Sequence, residues 1–229
     1  MINLLTSPPW RIVQSADQTI PLATYRHLEK QYVESFFATG ALRLSSVKRF
    51  STHTDEVRGD NQEHSAMYMS NYRPEEGEGA GHAIVFGIKA TEKAFILCTT
   101  QTPSNEQTFE GCDYDASFRI NDPLRFAIEV GKVLATFRGG LLGPCLYREP
   151  PILTLDLGKF NTVDLSPSQL QEKVDQAQRL IADDHEILFL KRKHFENQTE
   201  YRMIWFVDNE EEYIDIFCPE AVRFCERLT

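Results

Sequence analysis

Gln198, Glu200 and Arg202 occupy alternate positions in Phe195-Glu196-Asn197-Gln198-Thr199-Glu200-Tyr201-Arg202, which runs directly into Met203-Ile204-Trp205-Phe206-Val207. The apolar and aromatic run predicts a buried strand. Strand side chains alternate faces, so an amide, a carboxylate and a guanidinium share one strip, while Thr199, Tyr201 and Met203 share the other. A carboxylate fixed at a strand entrance can stabilise positive charge that develops at a reacting centre. The plainer alternative is a Glu200–Arg202 salt bridge at a solvated sheet edge. Lys191-Arg192-Lys193-His194 is the strongest basic cluster and lies just before the strip. It reads either as a solvated turn or as a contact for a polyanionic acceptor.

Two other stretches hold chemistry-bearing side chains. Thr54-Asp55-Glu56-Val57-Arg58-Gly59-Asp60-Asn61-Gln62-Glu63-His64 gathers carboxylates of the kind that bind divalent metals, without EF-hand spacing. Arg58 could instead pair with those carboxylates, with Gly59 permitting a tight turn, or contact a substrate. Cys98-Thr99-Thr100-Gln101-Thr102-Pro103-Ser104 ends a central strand with hydroxyls and an amide. Such groups can position a ribose or an amide, or cap the following turn. No G-x-S-x-G, Walker, G-x-G-x-x-G or H-E-x-x-H motif occurs, and Gly139-Gly140-Leu141-Leu142-Gly143 follows an expected helix rather than a strand.

The elements that must position these groups follow from periodicity and caps. Ile20–Thr24 reads as a strand leading to a helix from about His27 to Thr39, stopped by Gly40. Strands are expected over Leu42–Ser45, His82–Ile88, Ala94–Thr100, Ser117–Ile120, Leu146–Arg148, Tyr213–Phe217 and Val222–Cys225. A helix starts at Pro123 and runs to about Phe137, closed by Gly139-Gly140. Another starts at Ser166, and Ile187–Leu190 fits either class. Scattered strands with few helices indicate an α+β fold.

The chain has 229 residues, 41% hydrophobic and 11% aromatic, enough for one domain with a substantial core and unlike a disordered chain. Its apolar runs are too short to span a bilayer, and its N-terminus lacks a signal-peptide pattern, so a cytoplasmic location is expected. Five cysteines without paired spacing argue against a disulfide framework. The net charge of −10 opposes indiscriminate binding to phosphate backbones but leaves a local basic patch free to act.

Tyr25-Arg26, Phe36-Phe37-Ala38-Thr39-Gly40-Ala41-Leu42-Arg43-Leu44-Ser45, Asp55 to Glu63 and Glu196-x-x-x-Glu200-Tyr201-Arg202 together resemble a little-characterised bacterial domain family, which is in turn similar to ADP-ribosyltransferases. The resemblance spans most of the chain. It implies a single domain over residues 1–229, with two packed, mostly antiparallel sheets flanked by helices and a cleft for NAD. It also implies roles for residues. Arg26 would grip the pyrophosphate, Tyr25, Thr99, Thr100 and Arg58 would contact NAD, and Glu200 with Gln198 would carry catalysis. The central element reads Thr-Thr where the family pattern has Ser-Thr-Ser. Lys191, Arg192 and Lys193 would meet a macromolecular acceptor, nucleic acid ahead of protein. By the same resemblance, the protein would be the toxin of a toxin–antitoxin or phage-defence pair, with an antitoxin partner. The alternatives are a non-catalytic binding or sensor domain of the same fold, and a metal-dependent nuclease built on Asp55, Glu56, Asp60 and Glu63.

Overall fold

Alternating apolar residues and well-placed caps produce a strand-rich chain, of which the computed structural model describes residues 10–13, 21–50, 64–70, 84–90, 93–103, 114–158, 160 and 164–228. The first elements are β1 (Trp10–Ile12), β2 (Thr24–Leu28), α1 (Lys30–Thr39), β3 (Ala41–Ser46) and α2 (Val47–Phe50). Next come β4 (Ser65–Ser70), β5 (Val85–Lys89), β6 (Ala94–Thr100), β7 (Ala116–Ile120) and α3 (Pro123–Val133). Then follow β8 (Phe137–Pro144), β9 (Leu146–Arg148), β10 (Ile152–Leu155), α4 (Pro167–Asp183) and β11 (Leu190–Arg192). β12 (Glu200–Val207), β13 (Tyr213–Phe217), α5 (Pro219–Val222) and β14 (Cys225–Leu228) complete the chain.

Local signals set several boundaries. α1 stops at Gly40, whose φ of 75° is left-handed and whose N–H reaches Phe36 O. α3 is capped by Asp122, which accepts from Arg125 N, and α4 by a reciprocal Ser166–Gln169 box. Three expectations shift. The first strand begins at Thr24 instead of ending there, so Tyr25, Arg26 and His27 lie inside β2, and the helix expected from about His27 starts at Lys30. Pro219 starts the short helix α5, which takes Val222 out of the last strand. Gly139-Gly140 does not close a helix. It lies within β8, where a Cβ on Gly140 would stand 2.2 Å from the ring of Trp10.

The large sheet has the order β1-β8-β12-β6-β2-β7-β14, with β3 also on β6 and β13 outside β3. Its pairings are antiparallel except β1 with β8. β12 is the central strand, flanked along its length by β6 and β8. Tyr201, Met203, Trp205 and Val207 face one core with residues of α1, α3 and α5, and Trp205 Nε1 donates to Ala127 O. Ile204 faces a second core with Tyr68, Leu153, Leu155, Ala177 and Leu188. That layer contains the small sheet β10-β4-β5 and one buried residue of α4. The architecture is α+β with several sheets. Among the described residues, no helix is long and apolar enough to cross a membrane.

One irregularity matters for the site. β3 borders β6 at Phe95 and Ile96, while β2 borders the same edge only at Thr100. The large sheet therefore splits along β6, with β2 and β3 diverging on either side of Leu97–Thr99.

Candidate functional site

Glu200 enters the central strand directly after Thr199, which takes a left-handed φ of 43° and turns the chain out of the 3-10 segment Lys193–Gln198. Strand register then sets its neighbours. Glu200 lies opposite Thr100, and Thr100 lies opposite Tyr25. Directly opposed residues point to the same face. Three residues from distant parts of the chain thus form one row across β12, β6 and β2, beside the split in the sheet.

Glu200 is only 6% exposed and both of its carboxylate oxygens are engaged. Oε1 accepts from Arg202 Nε at 2.6 Å, and Oε2 accepts from Lys191 Nζ at 2.5 Å. Its backbone N–H donates to the Tyr147 hydroxyl at 2.7 Å. Lys191 Nζ also donates to Gln198 Oε1 at 2.8 Å. The Glu200–Arg202 salt bridge therefore exists, but it is buried rather than solvated. Gln198 belongs to the 3-10 segment rather than the strand, and it meets Glu200 through Lys191.

Arg202 is fully buried and extends the network. Its Nη1 donates to Leu188 O at 2.6 Å and meets His64 Nε2 at 3.2 Å. A guanidinium only donates, so His64 Nε2 is the acceptor and the imidazole is neutral. Burial first, and then the Arg202 charge, hold His64 well below the usual imidazole range. For Glu200, burial alone would raise the pKa. The Arg202 and Lys191 charges and their hydrogen bonds outweigh it and hold the carboxyl below the ordinary range.

Thr100 and His27 make a smaller polar unit on the same face. Thr100 Oγ1 donates its single proton to Thr102 O at 2.6 Å, so the contact from His27 Nε2 at 3.2 Å must be a donation to Thr100. Burial and the neighbouring Arg26 lower His27 from 6.5 to about 4. The unfolded chain therefore binds a proton in this window that the fold does not, and stability falls as pH drops from 6.5 to 4. His64 acts in the same direction. Glu200 contributes stability that is lost only below the ordinary carboxylate range, near about 4.3. His27→Gln is expected to flatten the upper part of this slope, read as urea midpoints across the window. An unchanged slope would leave His64 as its source.

The other expected site residues divide between locations. Arg26 and Thr99 belong to the opposite face, with Phe118 and Tyr201 as their register partners. Thr99 Oγ1 is committed to Tyr201 O at 2.9 Å. Arg26 Nη1 donates to Cys98 O at 2.6 Å, in the stretch of β6 where the sheet splits. The basic run does not act as a unit. Lys191 is buried on Glu200, Arg192 is half-buried, and Lys193 and His194 are exposed. Arg58 and the carboxylates Asp55, Glu56, Asp60 and Glu63 lie outside the described residues. Sequence reasoning missed His64, Tyr147 and His27. Only His27 had a local signal, its place two residues after Tyr25 in an alternating strand. No protein-family model, curated protein or solved structure matches the chain.

Proposed function

We propose that the protein is an NAD-dependent ADP-ribosyltransferase that modifies a macromolecule, with an ADP-ribosyltransferase-like cleft beside the split in the large sheet. The observation that carries this reading is the row Tyr25–Thr100–Glu200, which aligns an aromatic hydroxyl, an aliphatic hydroxyl and an ionised carboxylate on one face. In the reaction, the bond between ribose C1′ and the nicotinamide nitrogen breaks, and nicotinamide leaves with the bonding pair. An acceptor lone pair forms the new bond to C1′ and the acceptor gives up its proton to solvent or a base. Positive character at C1′ is greatest in the transition state, so a fixed negative group there favours the transition state over the substrate. Glu200 supplies that group, Gln198 orients the acceptor, and Tyr25 and Thr100 contact NAD. Lys193 and Arg192, at the rim, meet a nucleic acid or protein acceptor. A role as the toxin of a toxin–antitoxin or phage-defence pair belongs to the same reading.

A second reading has an observation of its own. Both oxygens of Glu200 are held by buried cations, as in a structural ion-pair cluster of a non-catalytic binding or sensor domain. Incubating the full chain with labelled NAD and cell extract separates the two. The transferase reading expects nicotinamide release and label in RNA, DNA or protein. Absence of both favours the binding domain, and cation-dependent cleavage of nucleic acid would favour a nuclease.

A further inference from the structure

Beyond Thr100, the row that holds Glu200 continues across two further strands. Tyr25 lies opposite Thr100 on one side and Arg119 of β7 on the other, and Arg119 lies opposite Glu226 of β14. One step along the same pair, His27 lies opposite Ser117. Directly opposed residues share a face, as do residues two apart on one strand. Tyr25, His27, Ser117 and Arg119 therefore form a polar square on the face that carries Glu200. Phe118 and Ile120, the alternate residues of β7, turn the other way into the helical core.

His27 is turned to Thr100. The other three corners have donors to spare. Among the described residues, the Tyr25 and Ser117 hydroxyls and the Arg119 guanidinium make no hydrogen bond. Arg119 Nε is buried without an acceptor, and Nη1 stands 4.0 Å from Glu226 Oε2, beyond hydrogen-bond reach. A buried guanidinium donor without an acceptor is costly, and an anion on this face would satisfy it.

We propose that Tyr25, Ser117 and Arg119 form a binding site for the diphosphate of a nucleotide, and that Arg119, not Arg26, is the guanidinium that grips it. A planar guanidinium fork matches phosphate oxygens, and the two hydroxyls add donors beside it. The choice of ligand rests on the transferase reading, through the distance to Glu200. The order β12-β6-β2-β7 puts Arg119 three strands from Glu200, a backbone separation of about 14 Å at the usual strand spacing. The long arginine side chain closes part of that span. A ribose held at Glu200 therefore carries its first phosphate toward Tyr25 and its second toward Arg119. Arg26 lies on the opposite face, where its Nη1 donates to Cys98 O.

Titration calorimetry on the full chain at fixed salt tests this without any activity assay, with ADP, inorganic pyrophosphate and adenosine as probes. ADP and pyrophosphate should bind, and adenosine should bind far more weakly. Arg119→Met should weaken ADP binding about tenfold or more, the usual effect of removing a charge-assisted contact. Arg119→Lys should restore part of the loss, because it returns the charge without the fork. Ser117→Ala should cost several-fold, and Arg26→Met should bind ADP as the unsubstituted chain does. Melting temperatures confirm that each variant is folded, and Arg119→Lys stands in if Arg119→Met is not. Loss of ADP binding in Arg119→Met, with no nicotinamide release by the unsubstituted chain, would keep the diphosphate site and remove the transferase reading. No binding of ADP or pyrophosphate by the unsubstituted chain would overturn the proposal. So would ADP binding indifferent to position 119, or lost in folded Arg26→Met alone.

Discussion

Glu200→Gln is expected to lower both the stability of the fold and the rate of nicotinamide release. The carboxylate is buried between Lys191 and Arg202. The substitution keeps the shape but removes the charge, and it turns one accepting oxygen into an NH2 that faces a cationic donor. Breaking one partner of a buried ion pair costs about 3–5 kcal/mol. For a chain of this size, that corresponds to a fall in melting temperature of roughly 10 °C. If Glu200 also stabilises the transition state, release of nicotinamide per folded molecule should drop about a hundredfold. Calorimetry and a release assay run well below the lowered transition measure the two effects separately. An unchanged melting temperature would argue against the buried network as a source of stability. A folded variant with wild-type turnover would remove Glu200 from catalysis and leave the structural reading of the cluster.

Gly140→Ala is expected to displace Trp10 and with it β1. The added methyl would lie 2.2, 2.5 and 2.6 Å from three atoms of the indole ring, far inside contact distance. Trp10 is 4% exposed and packs edge-to-face on Trp205. Only three residues of β1 pair with β8, so the strand is the part that gives way. Losing the burial of a tryptophan costs about 3–5 kcal/mol. The chain contains two tryptophans, so intrinsic fluorescence reports the change directly. A red shift with a lowered urea midpoint is the expected result. Gly87→Ala is the control, because a Cβ there meets nothing within 4 Å. It should be neutral or stabilise by about 0.4–1 kcal/mol. If the two substitutions behave alike, close approach of the indole is not why position 140 is glycine.

Much of the fold was legible in the sequence wherever the signal is local. The strand Ala94–Thr100 follows from its own composition, α1 ends where Gly40 can turn left-handed, and α4 begins where Ser166 and Gln169 cap each other. Alternation alone put Glu200 and Arg202 on one face and Tyr201 and Met203 on the other, because a strand's period does not depend on its neighbours. Tertiary structure decided the rest. Lys191 looks like part of a surface charge run until pairing of β11 with β9 buries it against Glu200. Gly139-Gly140 looks like a helix stop until Trp10, far earlier in the chain, lies across it. The row Tyr25–Thr100–Glu200 exists only because β2 and β12 both chose β6 and did so in one register. Periodicity and capping are properties of one segment. Register and burial are properties of pairs of segments, and a slip of one residue would turn Glu200 away from Lys191 and Thr100 to the other side of the sheet.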